Sequence, residues 1–150
     1  MRYSLAAIVF ALFGHSVVAT PVTPDLAAIG ASLPVVQLGP PSAASVSLPL
    51  SSLRNNTTLR ADAIDPILLL CSGTNCQACN VFDMVDLLTD TCFPAGLTFV
   101  SAAYVVTNQL GLSFTPSVGT SGCASILELP TPNTCFNING GTFNTFALLN

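Results

Sequence analysis

The sequence predicts an all-β fold: a compact, disulfide-stapled Greek-key sandwich built from two pseudo-repeats. Short runs of branched and aromatic residues alternate with turn residues in the second half of the chain, all six cysteines lie there, and residues recur at a spacing of 44. The 150-residue chain is 51% hydrophobic and only 7% charged, a composition too apolar for a disordered protein. We divide it into a leader (1–19), a proline-rich linker or arm (20–63) and a β-sandwich domain (64–150).

The leader has the pattern of a secretory signal peptide. Arg2 supplies the positive start, Leu5 to Phe13 form an apolar run, and Val17-Val18-Ala19 ends in small residues. The run is shorter than the roughly 20 residues that a membrane-spanning helix needs. We therefore expect cleavage after Ala19 and a secreted, extracellular product without a membrane span.

The segment from 20 to 63 contains no cysteine and no aromatic residue. Its prolines are too frequent for a long helix or a central strand, so we expect a linker, a pro-segment or an arm that lies against the domain. Ser45 to Leu50 alternates with period two and predicts an edge strand, where proline is tolerated. The prolines concerned are Pro21, Pro24, Pro34, Pro40, Pro41 and Pro49.

The same segment carries two overlapping glycosylation sequons. They begin at Asn55 and Asn56, and steric crowding favours one glycan over two. The chain is therefore predicted to be a glycoprotein.

From Ile64 onward, β-rich runs and turn residues alternate as in a compact all-β domain. The predicted strands are Ile67–Leu70, Leu97–Val100, Tyr104–Val106 and Thr142–Leu149. The predicted turns are Ser72–Asn75, Pro94–Gly96, Gly119–Gly122, Pro130–Asn133 and Asn139–Gly141. One segment differs, because a short helix or turn over 81–90 would place Asp83, Asp86 and Asp90 on one face.

A shift of the sequence by 44 residues aligns five positions of the second half with each other. The aligned pairs are Cys79 with Cys123, Thr98 with Thr142, Phe99 with Phe143, Ser101 with Thr145, and Ala103 with Ala147. Each repeat of about 40 residues is too small to bury a core alone, which predicts two four-stranded Greek keys packed as one sandwich.

Three segments of the domain resemble small fungal secreted proteins with a βγ-crystallin-like domain. They are Gly119-Thr120-Ser121-Gly122-Cys123, Asn133-Thr134-Cys135-Phe136-Asn137 and Gly140-Gly141-Thr142-Phe143-Asn144-Thr145-Phe146. The resemblance covers residues 64 to 150 and implies the crystallin type of sandwich. It implies no calcium site, because the paired acidic or amide signature of that family is not matched here.

Six cysteines in an exported chain predict three disulfides, for which roughly 15 pairings are open. The cysteines are Cys71, Cys76, Cys79, Cys92, Cys123 and Cys135. Repeat symmetry favours Cys79 with Cys92 and Cys123 with Cys135, which leaves Cys71 with Cys76. The rival interpretation takes Cys76-Gln77-Ala78-Cys79 as a redox or metal motif, but no βαβ unit and no second ligand pair accompany it.

Charge and composition argue against several classes of function. Without the leader the chain has two arginines, no lysine and no histidine against seven acidic residues, a net charge of −5 that does not suit nucleic-acid phosphates. Triads that need histidine or lysine are excluded with them. Asp83 and Asp86 are the remaining acid–base candidates, but the chain offers no tryptophan for a glycosidase cleft.

These observations predict a secreted, non-catalytic structural or interaction protein of a cell surface, extracellular matrix or host interface, without a cofactor. Its partner would be an extracellular protein or a wall polysaccharide. The alternative is a secreted inhibitor or toxin-like effector that acts through a disulfide-held loop such as Thr115 to Ser121. A weaker third hypothesis is a carbohydrate hydrolase that uses Asp83 and Asp86.

Overall fold

A computed structural model describes residues 26–40, 42–43, 48–51, 66–107 and 111–150 of the chain. The predicted leader and the sequon residues Asn55 and Asn56 lie outside these residues. Within the described ranges the chain forms one short α-helix and ten β-strands. In chain order these are α1 (Leu26–Ser32), β1 (Val35–Leu38), β2 (Ser42–Ala43), β3 (Ile67–Cys71), β4 (Cys79–Asp83), β5 (Cys92–Phe99), β6 (Ser101–Val105), β7 (Thr115–Gly119), β8 (Ser125–Glu128), β9 (Cys135–Ile138) and β10 (Phe143–Leu149).

The strands form two five-stranded sheets that pack as a sandwich. Sheet A has the order β1-β9-β6-β3-β4, and sheet B has the order β2-β8-β7-β10-β5. Strands β3 to β6 make one four-stranded unit and β7 to β10 make the second. In each unit the first, second and fourth strands share a sheet, and the third strand crosses to the sheet of the other unit. The predicted Greek-key sandwich of two pseudo-repeats is confirmed, and its units interlock.

The main core lies between the sheets and is rich in phenylalanine. The rings of Phe99 and Phe143, which the 44-residue shift aligns, have centroids 6.2 Å apart, and both residues are fully buried. Phe93 and Phe146 stack at 5.4 Å beside them. Aromatic pairs at such distances add to the free energy of burial.

Most of the predicted strands and turns are present, but one predicted turn is wrong. Strand β3 begins at the predicted Ile67, and β10 fills nearly all of the predicted final strand. Residues Pro94 to Gly96, which were predicted to form a turn, lie inside the eight-residue strand β5. Gly96 has φ of 71°, and the pairing of β5 with β10 shifts register between Phe143 and Thr145. The turn-forming residues therefore make a β-bulge.

The acidic segment does not form a helix. Strand β4 ends at Asp83, and turns at residues 85–86 and 89–90 follow it. The spacing of three and four between the acids thus does not reflect a helical face.

Equivalent hydroxyls fasten the first hairpin of each unit. Ser101 Oγ on β6 donates a hydrogen bond to the Gly73 carbonyl at 2.6 Å, in the β3–β4 hairpin. Thr145 Oγ1 on β10 donates to the Thr120 carbonyl at 2.7 Å, in the β7–β8 connection. The 44-residue shift aligned Ser101 with Thr145, so the repeat carries a shared structural role.

The cysteines form three disulfides, but the predicted pairing is wrong. The bonded pairs are Cys71–Cys79, Cys76–Cys135 and Cys92–Cys123. None of the predicted pairs, Cys79–Cys92, Cys123–Cys135 and Cys71–Cys76, is present. The motif interpretation of Cys76 and Cys79 also fails, because these two residues are bonded to different partners.

Two of the three bridges obey the pseudo-symmetry of the sandwich. Cys76 and Cys123 each lie in the first hairpin of a unit, with left-handed φ values of 52° and 56°. Each is bonded to the first residue of the third strand of the other unit, Cys135 or Cys92. The equivalent of Cys123 is therefore Cys76 rather than Cys79, and the additional bridge of the first unit is Cys71–Cys79. The symmetric bridges cross between the units because the third strands do.

The described part of the proline-rich segment, which we call the arm (26–51), lies against the domain. Strand β1 pairs in parallel with β9, and β2 pairs with β8 at an edge of sheet B. A bridge between Leu50 and Cys92 covers the start of β5. The described residues of this segment thus contact the domain, as an arm would. The first half of the predicted edge strand at Ser45–Leu50 lies outside the described residues, which resume at Leu48.

Candidate functional site

The candidate site is the segment between β4 and β5, which we call the 84–91 loop. At its start, Met84 is fully buried and its amide donates to the Pro66 carbonyl at 3.1 Å. The Val85 amide donates to Asp83 Oδ1 at 2.9 Å, which turns the chain away from β4. The entry to the loop is thus held by a buried side chain and a local carboxylate turn.

The end of the loop is bound to the C-terminus. The Asp90 amide donates to the Leu148 carbonyl at 2.7 Å. The Asn150 amide and side-chain nitrogen donate to the two Asp90 carboxylate oxygens, each at 3.1 Å, and the side-chain nitrogen also donates to Thr89 Oγ1 at 3.0 Å. The loop therefore has defined contacts at both ends.

Between these anchors the loop presents apolar and acidic side chains to solvent. Val85 is 59% exposed and Leu88 is 67% exposed, although both are large hydrophobic residues. Asp83, Asp86 and Asp90 are exposed as well, and the described residues contain no lysine, arginine or histidine. The surface is therefore apolar at two points and negative around them.

The loop is also bracketed by disulfides. Cys79, four residues before Asp83, is bonded to Cys71, and Cys92 directly after Thr91 is bonded to Cys123. A loop between two stapled strands loses little conformational freedom on binding, which favours affinity. The three aspartates were predicted from the sequence to share one face, but Val85 and Leu88 were not predicted to be functional, because hydrophobic residues of this kind usually belong to the core.

Asp83 and Asp86 do not form a glycosidase pair in this structure. Both are exposed, and Asp83 accepts a backbone hydrogen bond from Val85. A retaining or inverting pair must flank a bond held in a cleft. The two carboxylates instead belong to the exposed surface of β4 and the loop.

The predicted inhibitory loop at Thr115 to Ser121 is also wrong. Residues Thr115–Gly119 form β7, which lies between β8 and β10 inside sheet B. Its side chains are buried from Pro116 to Gly119. A strand in the middle of a sheet has no free surface to insert into a target.

One apolar cleft opens where the ends of β6, β7 and β8 meet. Its volume is about 250 Å³, which is below the usual range for small-molecule sites. Burial raises the pKa of Tyr104 above its ordinary value. The lining consists of Tyr104, Val106, Gly111, Leu112, Phe114, Thr115, Pro116, Leu129, Pro130 and Pro132. The cleft suits a small apolar group.

The described residues contain neither a candidate metal site nor a helix that could span a membrane. No group of three histidine, cysteine, aspartate or glutamate side chains among them is placed to hold a metal ion. In the same residues no helix is long and apolar enough to cross a bilayer.

Comparisons with known proteins identify no relative. No protein-family model matches the chain, and neither a curated protein nor a solved structure is significantly similar to it.

Proposed function

We propose that this chain is a secreted, non-catalytic interaction protein that binds an extracellular partner through the 84–91 loop. The observation that carries the proposal is the exposure of Val85 and Leu88 on a loop anchored at both ends. An apolar surface held in place by its own fold is typical of a binding site. The three disulfides support an oxidising, extracellular location.

The charge and the exposed apolar side chains of the loop indicate what kind of partner it binds. Carboxylates at residues 83, 86 and 90 surround the apolar side chains, and no described residue is cationic. A protein surface that combines lysine or arginine with apolar side chains complements both features. We therefore favour a cationic protein over a neutral wall polysaccharide.

A further part of this proposal is that the domain is βγ-crystallin-like and of the fungal secreted type. The support is the pair of interlocked four-stranded Greek keys, since that architecture is what the sequence resemblance implied.

The test is binding of the secreted protein to material from its own culture fluid and cell wall. The double variant V85S/L88S keeps the loop backbone and removes the apolar contacts, and V100S removes a less exposed valine, 38% against 59% for Val85, from the β5–β6 turn as the control. We expect V85S/L88S to lose partner binding by at least tenfold and V100S to retain it. The variant D86N and increasing salt should each weaken binding. Equal binding by all variants would contradict the proposal.

The inhibitor hypothesis remains a second candidate, now attached to this loop. The specific observation in its favour is that disulfide-bonded cysteines stand on both sides of the loop, at positions 79 and 92. An inhibitor would form a stoichiometric complex with one enzyme and abolish its activity. Binding to matrix or wall material without inhibition of an enzyme would instead favour the structural role.

A further inference from the structure

The arm is attached to the domain without a covalent bond other than the chain itself. All three disulfides join residues between Cys71 and Cys135. The arm contains no cysteine. The domain is therefore stapled, whereas every contact of the described arm residues is non-covalent.

Helix α1 covers an apolar outer face of sheet A. Strand β3 is buried on both faces: Leu68 and Leu70 point into the main core, while Ile67 and Leu69 belong to a second cluster on the outside. Ile29 and Leu33 of the arm pack against that second cluster. Ile29 lies within α1, and Leu33 directly follows its last residue. The arm thus supplies a third layer that this face of the sandwich requires.

Gly30 of the arm lies close to the backbone of the domain. A Cβ atom at this position would lie 2.7 Å from the Cys76 carbonyl oxygen and 3.6 Å from Cys79 Sγ. Glycine is therefore required for the helix to reach the surface around the first hairpin.

The arm also closes edges of both sheets. Strand β1 pairs with β9 from Val35 to Leu38, and the Cys135 amide donates to the Pro34 carbonyl at 2.8 Å. Strand β2 pairs with β8, and the Cys92 amide donates to the Pro49 carbonyl at 2.9 Å. Edge strands without such cover are templates for pairing with another chain.

We propose that the arm of one copy docks on the domain of a second copy, so that copies of this chain join by exchange of arms. The acceptor surface is the outer face of sheet A together with the edges at β9, β8 and β5. The partner is a second copy because its arm carries the same complementary groups and makes the same contacts. Only the arm can exchange, since the rest of the fold is stapled.

The protein concentration determines whether an arm docks on its own domain or on the domain of a second copy. The arm is joined to β3 through residues 52–65, which span at most roughly 50 Å when extended. A segment tethered in this way has an effective concentration on the order of 1 mM at its own docking surface. Exchange thus becomes substantial when the local protein concentration approaches that value. Where a partner surface holds many copies through the 84–91 loop, such concentrations are reached; this last step rests on the proposed function.

The test mixes two forms of the full chain, one with a C-terminal affinity tag and one without. After incubation at about 1 mM and rapid dilution, the tagged copies are captured and the untagged copies bound to them are measured by intact mass. Near the effective concentration about half of the arms should dock in trans. Gly30→Leu should abolish co-capture, and Gly39→Leu, whose added Cβ meets nothing within 4 Å, should not.

A second arm variant separates loss of docking from failure to fold. I29S/L33S removes the apolar contacts of α1 without introducing a clash and should also lose co-capture. Oxidation of all six thiols, checked by mass, shows that the domain has formed. Absence of co-capture for the parent chain at about 1 mM, or co-capture by the Gly30→Leu and I29S/L33S variants at the parent level, would overturn the proposal. V85S/L88S should exchange arms normally, so failure of the loop and failure of exchange are distinguishable.

Discussion

Replacing Gly30 by alanine tests the docking of the arm, because the expected sign is opposite to that for an isolated helix. In a free helix, alanine is more stable than glycine by about 1 kcal/mol. Here the new Cβ would lie 2.7 Å from the Cys76 carbonyl oxygen, closer than real Cβ contacts. Cys76 cannot retreat freely, since it is bonded to Cys135 and its amide donates to Ser101 Oγ at 3.1 Å.

The magnitude follows from these opposing effects. Overpacking of a fixed neighbour costs about 1 to 3 kcal/mol, which exceeds the gain in helix propensity over most of that range. We expect G30A to weaken docking of the arm by about 1 kcal/mol net, and G39A to have no such effect, because its Cβ meets no atom.

Hydrogen exchange of the backbone amides measures this local change. The amides of α1 and β1, and that of Leu33 between them, which donates to the Gly30 carbonyl, should exchange several-fold faster in G30A. Amides of β3 and β10 should be unaffected, because the stapled domain stays folded. Slower exchange of the α1 amides in G30A than in the parent chain would refute the reasoning. The higher helix propensity of alanine would then stabilise α1 without an opposing clash with Cys76.

Three further predictions concern the domain. Replacing Cys76 and Cys135 by alanine should lower the free energy of unfolding by about 4 kcal/mol, because that disulfide closes a loop of 59 residues. Replacing Cys71 and Cys79, which close a loop of 8 residues, should lower it by about 2.5 kcal/mol. The midpoints of urea-induced unfolding of the two variants and the parent chain measure these changes. Thr145→Val should cost about 0.5 to 1.5 kcal/mol, because the Thr120 carbonyl loses the hydroxyl donor and keeps only the Cys123 amide, whereas the exposed Thr98→Val should be nearly neutral in the same assay. Tyr104 should ionise above its ordinary pKa of 10.0 in the folded protein, so stability should fall as the pH rises above 10.0, and absorbance at high pH should show a later transition than in denaturant.

The strands of the core were predictable where the sequence is apolar and unbroken. Ile67–Leu70 lies in β3, and Thr142–Leu149 covers β10, because continuous or aromatic runs bury well in a sheet. Pro94–Gly96 was not predictable as part of a strand. At the outer edge of sheet B a proline and a left-handed glycine are tolerated in a bulge, and only the position of β5 in the sheet reveals this.

The disulfide pairing failed for a geometrical reason. A shift of constant length is correct for β6 and β10, where Ser101 corresponds to Thr145. It is wrong near the first hairpins, where Cys76 corresponds to Cys123 at a shift of 47 residues. Insertions between strands change the shift along the chain, so cysteines that align at one constant shift need not occupy equivalent positions in the structure.

The exposed part of the loop was the least predictable feature. Val85 and Leu88 have the composition of a core segment, and their exposure depends on Met84 filling the core in their place. Burial at one position of a short loop turns its neighbours outward, and no local pattern records which position is buried.

The interlocked bridges constrain the domain but not the arm. Each symmetric disulfide joins the first hairpin of one unit to the third strand of the other, so neither unit can separate or exchange while both bridges are intact. A sandwich with such staples keeps the 84–91 loop rigid without help from the arm. The chain can therefore combine a fixed binding loop with an arm held only by packing and edge pairing. In that arrangement, reduction of the disulfides and displacement of the arm should act on different properties, the first on stability of the domain and the second on association between copies.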